Sequence, residues 1–273
     1  MLQAVAIIGA GSMGAGIGGV LHRHGVKVLS PLNARSQTSR LRALEAGIID
    51  AGLEALGEVD IILSIVPPSQ AEAAAGDVLP VLEQSRRKPV YVDCNAITPD
   101  TSLRIAAAVE ATGTPYVDAG IIGLPPGTAR LAPLLYLSGP HIASVAGLGN
   151  CGLQLAPMQG MPVGAASALK LAYAGVTKGL VGLAASMALA AEAAGVSDYF
   201  RAELERSQPH LHDGFSRSVP DMLGKAGRWV AEMEGISDFS GRDIHRQLGA
   251  LYAEVAADPG VQDRLRAFYA KRG

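Results

Sequence analysis

The segment Gly9-Ala10-Gly11-Ser12-Met13-Gly14 constrains the fold of this chain more than any other. It follows a short apolar, β-rich run at residues 4–8 and precedes a helical pattern that continues through Leu21 and stops near Gly25. In that strand, turn, helix context, glycines at this spacing permit a tight turn, close backbone approach to a pyrophosphate, and close packing of helix on strand. The free amides of the first helical turn then face the phosphates. Gly9, Gly11, Ser12, Met13 and Gly14 are therefore candidate cofactor-binding residues.

Strand-like runs recur at residues 26–29, 59–66 and 90–93, separated by helix-length segments such as 40–46 and 70–82. Alternation of this kind predicts a parallel sheet with helices on both faces. Three more strand-like runs, 115–119, 134–138 and 153–158, follow before strand signals cease. The stretch 164–194 is rich in Ala and Leu and free of proline, which predicts one long helix. Further helical patterns cover 197–207, 222–236 and 243–256, with proline or glycine at most of the breaks. The expected architecture is α/β: a Rossmann-type parallel-sheet domain over residues 1–162, then an all-α domain over 163–273 for substrate and dimerisation.

A chain of 273 residues is long enough for both domains to bury cores without disulfides or a structural metal. Hydrophobic residues make up 49% and the formal net charge is −2, which indicates neither a polyanion-binding surface nor a charge-repelled disordered chain, so nucleic acid is not an expected partner. Cys94 and Cys151 lack the spacing of a zinc site or redox pair and fit a reducing cytoplasm. His210 and His212 are two apart and would diverge on a helix, so no metal site is expected. The N-terminus enters a strand pattern directly, without the features of a signal peptide. The most apolar stretch, 179–191, is shorter than the ~18 residues a membrane span needs, so no membrane partner is expected.

An NAD-specific site usually places Asp or Glu after the second strand to hold the ribose hydroxyls. No acidic residue lies between Gly14 and Glu45. That interval holds Arg35, Ser36, Thr38, Ser39 and Arg40 instead, a set able to neutralise and hydrogen-bond a 2′-phosphate. NADP is the cofactor this predicts, with Arg35 and Ser36 as its determinants; Arg40 and Arg42 fit a solvated basic loop equally well.

Beyond the glycine turn, the chain carries Val66-Pro67-Pro68 after a strand, Asp93-Cys94-Asn95-Ala96-Ile97-Thr98-Pro99, Val117-Asp118-Ala119-Gly120-Ile121-Ile122-Gly123, and the segment 164–179 around Lys170. With these motifs it resembles, over nearly its whole length, the 3-hydroxyacid dehydrogenase and 6-phosphogluconate dehydrogenase superfamily, which includes the imine reductases. Residues 228–234 resemble a subgroup whose C-terminal domain is 6-phosphogluconate-dehydrogenase-like and of unassigned function. The resemblance implies that Met13, Val66, Pro67 and Asn95 approach the ribose and nicotinamide, that Lys170 is the catalytic lysine, and that the protein is a homodimer. Consecutive prolines also end a parallel strand with no ligand present. An ammonium near a carbonyl stabilises the developing negative charge and donates the proton, whereas oxidation needs the neutral amine as base.

On a helix Tyr173, Ala174 and Thr177 share the face of Lys170. Resembled hydroxyacid dehydrogenases carry asparagine at the position of Ala174 and a carboxylate-binding serine at that of Ile122; 6-phosphogluconate dehydrogenase carries a glutamate at that of Thr177. With those anchors missing, Ile121, Ile122 and Gly123, followed by Leu124, Pro125 and Pro126, form an apolar wall suited to a less polar or bulkier substrate. Arg228 is suited to clamp a carboxylate, while Trp229 fits a core. The leading expectation is an NADP-dependent oxidoreductase acting on a small carbonyl or hydroxy substrate, possibly a hydroxyacid with apolar groups. The alternatives are an NADPH-dependent imine reductase with Tyr173 as proton donor, and a non-catalytic cofactor-binding protein.

Overall fold

The apolar run near the N-terminus forms β1 (Ala4–Ile8), and its side chains alternate between two separate cores. Val5 and Ile7 join one cluster while Ala6 and Ile8 join the other, as in a strand covered on both faces. The computed structural model, which describes residues 2–33, 35–128 and 131–270, extends this strand into an eight-stranded sheet. The further strands are β2 (Lys27–Ser30), β3 (Ile49–Asp50), β4 (Ile61–Ser64), β5 (Val90–Asp93), β6 (Tyr116–Ile122), β7 (Leu134–Ser138) and β8 (Gln154–Pro157). Their order is β3-β2-β1-β4-β5-β6-β7-β8, with β1 to β6 all parallel. The chain winds outward from β1 in both directions, so a topological switch point lies beyond the C-terminal ends of β1 and β4.

Helices cover both faces. α1 (Ser12–Arg23) and α2 (Gln37–Glu45) contribute Ala15, Ile17, Leu21 and Ala43 to one core. α3 (Ala71–Gln84) and α4 (Pro99–Ala111) contribute Val78, Leu82, Ile105 and Val109 to the other. The parallel run ends at β7, which is antiparallel to β6 with Asp118 opposite Ser138 and Ile122 opposite Leu134. Parallel pairing needs a crossover of a dozen or more residues, usually helical. Residues 123–133 are too few, and the described ones contain no helix. After α5 (Gly147–Asn150), β8 returns parallel to β7.

The chain divides into two compact units, Met1–Lys170 and Leu171–Gly273, the division falling inside α6 (Ala165–Ala193). The second unit consists of the rest of α6 with α7 (Ser197–Ser207), α8 (Pro209–Leu223), α9 (Ala226–Ser240), α10 (Ile244–Ala257) and α11 (Pro259–Tyr269). Gly175, Gly179 and Gly182 let α10 come close to α6: a Cβ on Gly182 would stand 3.0 Å from the Tyr252 hydroxyl. That hydroxyl donates to the Lys178 carbonyl at 2.6 Å, and the Tyr252 ring meets Trp229 edge-on. Trp229 is thus a core residue, with the Lys178 ammonium above its ring and paired to Glu232. At 29 residues α6 is long and apolar enough to cross a membrane by length and composition alone, a test that the core helix of a soluble protein also passes. It is packed as a core helix, burying Leu171, Val181, Ala185 and Ala188.

Candidate active site

Each glycine of the turn after β1 has its own geometric reason. Gly9 has φ +95°, and a Cβ there would sit 2.3 Å from the Ile65 carbonyl oxygen; a Cβ on Gly14 would sit 2.3 Å from the carbonyl oxygen of Gly9. These two hold the turn against the sheet. A Cβ on Gly11 would meet nothing within 4 Å, so it would project into open space where a pyrophosphate fits. Gly11 is also the N-cap of α1 and supplies no side-chain cap, which leaves the helix terminus to an anion. Ser12 is exposed beside it, and Met13 packs its side chain on the core beneath.

The loops after β4 and β5 border the same sheet edge. Val66 is buried and donates its N–H to Asn95 Oδ1 at 2.7 Å, while Asn95 Nδ2 donates to Ser64 Oγ at 3.0 Å. The Asn95 side chain is therefore buried in a bridge between the two loops, and it shapes the crevice through the backbone that it holds. Pro67 is exposed at the start of the next turn. Beyond β2, Ser36 caps α2, accepting from the Ser39 N–H at 3.3 Å, so it marks a second helix N-terminus beside half-buried Arg35. Arg40 pairs with Asp50 at 3.7 Å, and Asp50 also accepts the Leu32 N–H.

Lys170 reaches the same edge from α6. Its ammonium donates to the carbonyl of Ile121, near the C-terminal end of β6. Burial lowers its pKa to about 8. Cys94 is itself buried, and burial pushes its thiol well above the ordinary range. Ile121 is buried and Ile122 half-buried; Gly123 has φ +131°, and a Cβ on it would meet Pro133 at 2.9 Å. The first unit thus gathers the glycine turn, Val66, Pro67, Asn95, Lys170 and Ile122 along one edge of its sheet, whereas the Ile121 side chain packs into the core rather than forming part of an apolar wall.

Tyr173, Thr177 and Arg228 belong to the second unit. Tyr173 is about half exposed and Thr177 is exposed, its hydroxyl turned back to the Tyr173 carbonyl at 3.0 Å. Arg228 is exposed on α9.

Two acidic residues had no assigned role in the motifs. Asp118 and Asp93 are both fully buried in the sheet, side by side on β6 and β5. A charged residue inside an otherwise apolar strand is the signal that singles them out.

Residues 4–157, more than half of the chain, match the model of the NAD binding domain of 6-phosphogluconate dehydrogenase. Residues 191–258 match a domain of unknown function, DUF1932. No curated protein matches. Among solved structures the chain is similar to the conserved protein MTH1747 of unknown function, described as structurally similar to 3-hydroxyacid dehydrogenases, at 23% identity and TM-score 0.71, covering 98% of this chain and 100% of that one. It is similar to 3-hydroxyisobutyrate dehydrogenase from Mycobacterium tuberculosis at 17% identity and TM-score 0.73, covering 99% and 100%. It is also similar to imine reductase BcSIRED from Bacillus cereus BAG3X2 at 17% identity and TM-score 0.60, covering 93% and 92%. At these identities the structures share the fold, and the matched cofactor domain places the chain in the family defined by the NAD binding domain of 6-phosphogluconate dehydrogenase.

Proposed function

We propose that this protein is an NADP-dependent oxidoreductase acting on a small carbonyl or hydroxy compound with apolar substituents, with Lys170 as the group that moves the proton. The observation that carries the reading is the position of Lys170: half-buried, near the C-terminal end of β6, its ammonium on the Ile121 carbonyl and its pKa lowered to about 8. A general acid or base is most effective when its pKa lies near the working pH. Held on the Ile121 carbonyl, the ammonium is oriented before any substrate arrives.

The open side of the Gly11 turn fits a dinucleotide pyrophosphate, and Arg35 with the N-terminus of α2 fits a 2′-phosphate. When bound, a nicotinamide cofactor would supply the two-electron transfer. Lys170 stabilises negative charge on the substrate oxygen and releases its proton there; in the reverse direction its neutral amine accepts that proton. Half-buried Ile122 gives that side of the site an apolar lining that disfavours a second carboxylate or phosphate, while the Ile121 side chain packs in the core and contributes its carbonyl. Two free thiols, Cys94 and Cys151, fit a reducing compartment such as the cytoplasm.

Imine reduction is the second reading, favoured by exposed Tyr173 one turn beyond Lys170 on α6. A screen that follows NADPH consumption with ketoacids, aldehydes, ketones and cyclic imines separates the two. Carbonyl turnover that Lys170→Ala abolishes supports the first; imine turnover lost in Tyr173→Phe and kept in Lys170→Ala supports the second.

The working form is proposed to be a homodimer. Tyr173, Val176, Leu180, Leu183 and Met187 are exposed along α6 at alternating spacings of three and four, a seam suited to a second helix. They continue into an apolar groove of about 500 Å³ whose walls include Ile236, Phe239, Ile244 and Leu248. An exposed surface of this kind calls for a partner, and a self-complementary seam suits a second copy.

A further inference from the structure

The first turn of α6 carries no cap of its own. The first bond within the helix runs from the Ala168 N–H to the Gly164 carbonyl, which makes Gly164 the N-cap. Glycine has no side chain to accept from the amides that follow, and here its φ is +94°. The acceptors come from strands instead. Asp118 Oδ2 accepts from the N–H of Gly164 at 3.0 Å, the N–H of Ser167 at 3.1 Å and the hydroxyl of Ser138 at 2.9 Å. Asp118 Oδ1 accepts from the Ser167 hydroxyl at 2.6 Å, and Ser138 Oγ accepts the Ala166 N–H at 3.0 Å. A buried carboxylate is costly unless it is hydrogen-bonded, and this one meets four donors.

The same strand grips the helix twice more. Gly120, two residues after Asp118, lies so close that a Cβ on it would stand 2.7 Å from the Ala166 carbonyl oxygen and 3.2 Å from Lys170 Cβ. Ile121, the next residue, supplies the carbonyl that receives the Lys170 ammonium. Lys170 lies six residues past the cap, about 9 Å along the axis. A slip or tilt of the first turn is therefore passed to the ammonium almost undiminished.

We infer that Asp118 is a positioning residue for Lys170: it caps α6 from β6 and sets the register in which the lysine reaches the Ile121 carbonyl. The inference rests on Lys170 as the proton-moving group proposed above only for its catalytic consequence. The placement itself is a property of the first unit. Asp118 acts through geometry, since burial rather than a nearby carboxylate is the main influence on Lys170. Asparagine should substitute: its oxygen can take the Gly164 and Ser167 amides, and its NH2 can donate to the Ser167 hydroxyl. Alanine leaves the amides of the first turn without their acceptor.

The test reads Lys170 without any substrate. The protein is pulsed with an amine-acylating reagent across a pH series, and peptide mass spectrometry gives the midpoint at which Lys170 becomes reactive. The parent midpoint is expected at about 8, with Asp118→Asn close to it. Asp118→Ala should shift upward towards the ordinary lysine value, with kcat reduced and NADPH affinity kept. If Asp118→Ala does not fold, the Ser138→Ala/Ser167→Ala double variant, which removes two of the four donors and the Ala166 cap, is read for the same upward shift. An unmoved Lys170 midpoint in whichever variant folds with its NADPH affinity intact overturns the inference. Turnover that survives Lys170→Met, together with a midpoint that does move, removes the catalytic role of the lysine and leaves the positioning role standing.

Discussion

Asp93 and Asp118 are register partners on adjacent parallel strands, both buried, yet Asp118 accepts four hydrogen bonds while Asp93 Oδ2 accepts none among the described residues. Two neighbouring buried anions would repel, and the unequal donor supply decides which one takes a proton. Burial, and then the Asp118 charge, push Asp93 up to about 7 despite the Asn95 N–H on its other oxygen. The folded protein therefore holds a proton that the unfolded chain releases near pH 4. Stability is expected to fall as pH rises from about 4 to 7 and to level off above, by up to a few kcal/mol at roughly 1.4 kcal/mol per pH unit of displacement. Urea unfolding at pH 5 and pH 7.5 measures this, and Asp93→Asn, which cannot ionise, should remove that slope. A slope identical in the two proteins would show that Asp93 does not hold the proton.

With the Lys170 pKa lowered to about 8, reduction should be fastest below pH 8 and decline above it, and oxidation should show the reverse. Lys170→Ala should lower kcat by ~100-fold or more and leave NADPH affinity nearly unchanged. The stability signature has the opposite sense to that of Asp93. Between pH 8 and 10.5 the unfolded chain binds the extra proton, so stability rises across that window in the parent and not in Lys170→Ala. A pH–rate profile with no break near 8 would assign the proton to another group.

Cofactor preference should follow Arg35. NADPH is expected to bind at least tenfold more tightly than NADH, about 1.4 kcal/mol. Arg35→Ala should erase most of that gap by weakening NADPH alone. Fluorescence titration of both cofactors against both proteins decides it, and equal affinities in the parent contradict the assignment.

Leu180→Glu combined with Leu183→Glu places two charges in the exposed seam of α6 without touching the buried residues Val181 and Ala185. The parent is expected to sediment as a dimer at micromolar concentration and the double variant as a monomer with unchanged helicity. A monomeric parent, or a variant that stays dimeric, removes the seam as the interface.

The sheet edge with its glycine turn is readable because Gly9 and Gly14 answer local steric demands, and α6 because its 29 residues contain no proline. Prolines misled. Pro99, Pro209 and Pro259 look like breaks, but each stands in the first turn of a helix, α4, α8 and α11, where a missing N–H costs nothing. β3 is two exposed residues and carries no apolar pattern to detect. The reversal at β7 leaves no trace in hydrophobic periodicity, although the short link after β6 already excluded a helical crossover. The role of Asp118 was hidden for a different reason: its partners lie 20 to 49 residues further on, at distances in sequence that no local pattern spans.

The Asn95 amide has a mechanical consequence. By bonding Val66 on one side and Ser64 on the other, it ties the loops after β4 and β5 into a single piece, so this part of the crevice is held together by the protein's own hydrogen bonds. An incoming dinucleotide meets a mould rather than two loose strands of backbone, and little of its binding free energy goes to quieting the receptor.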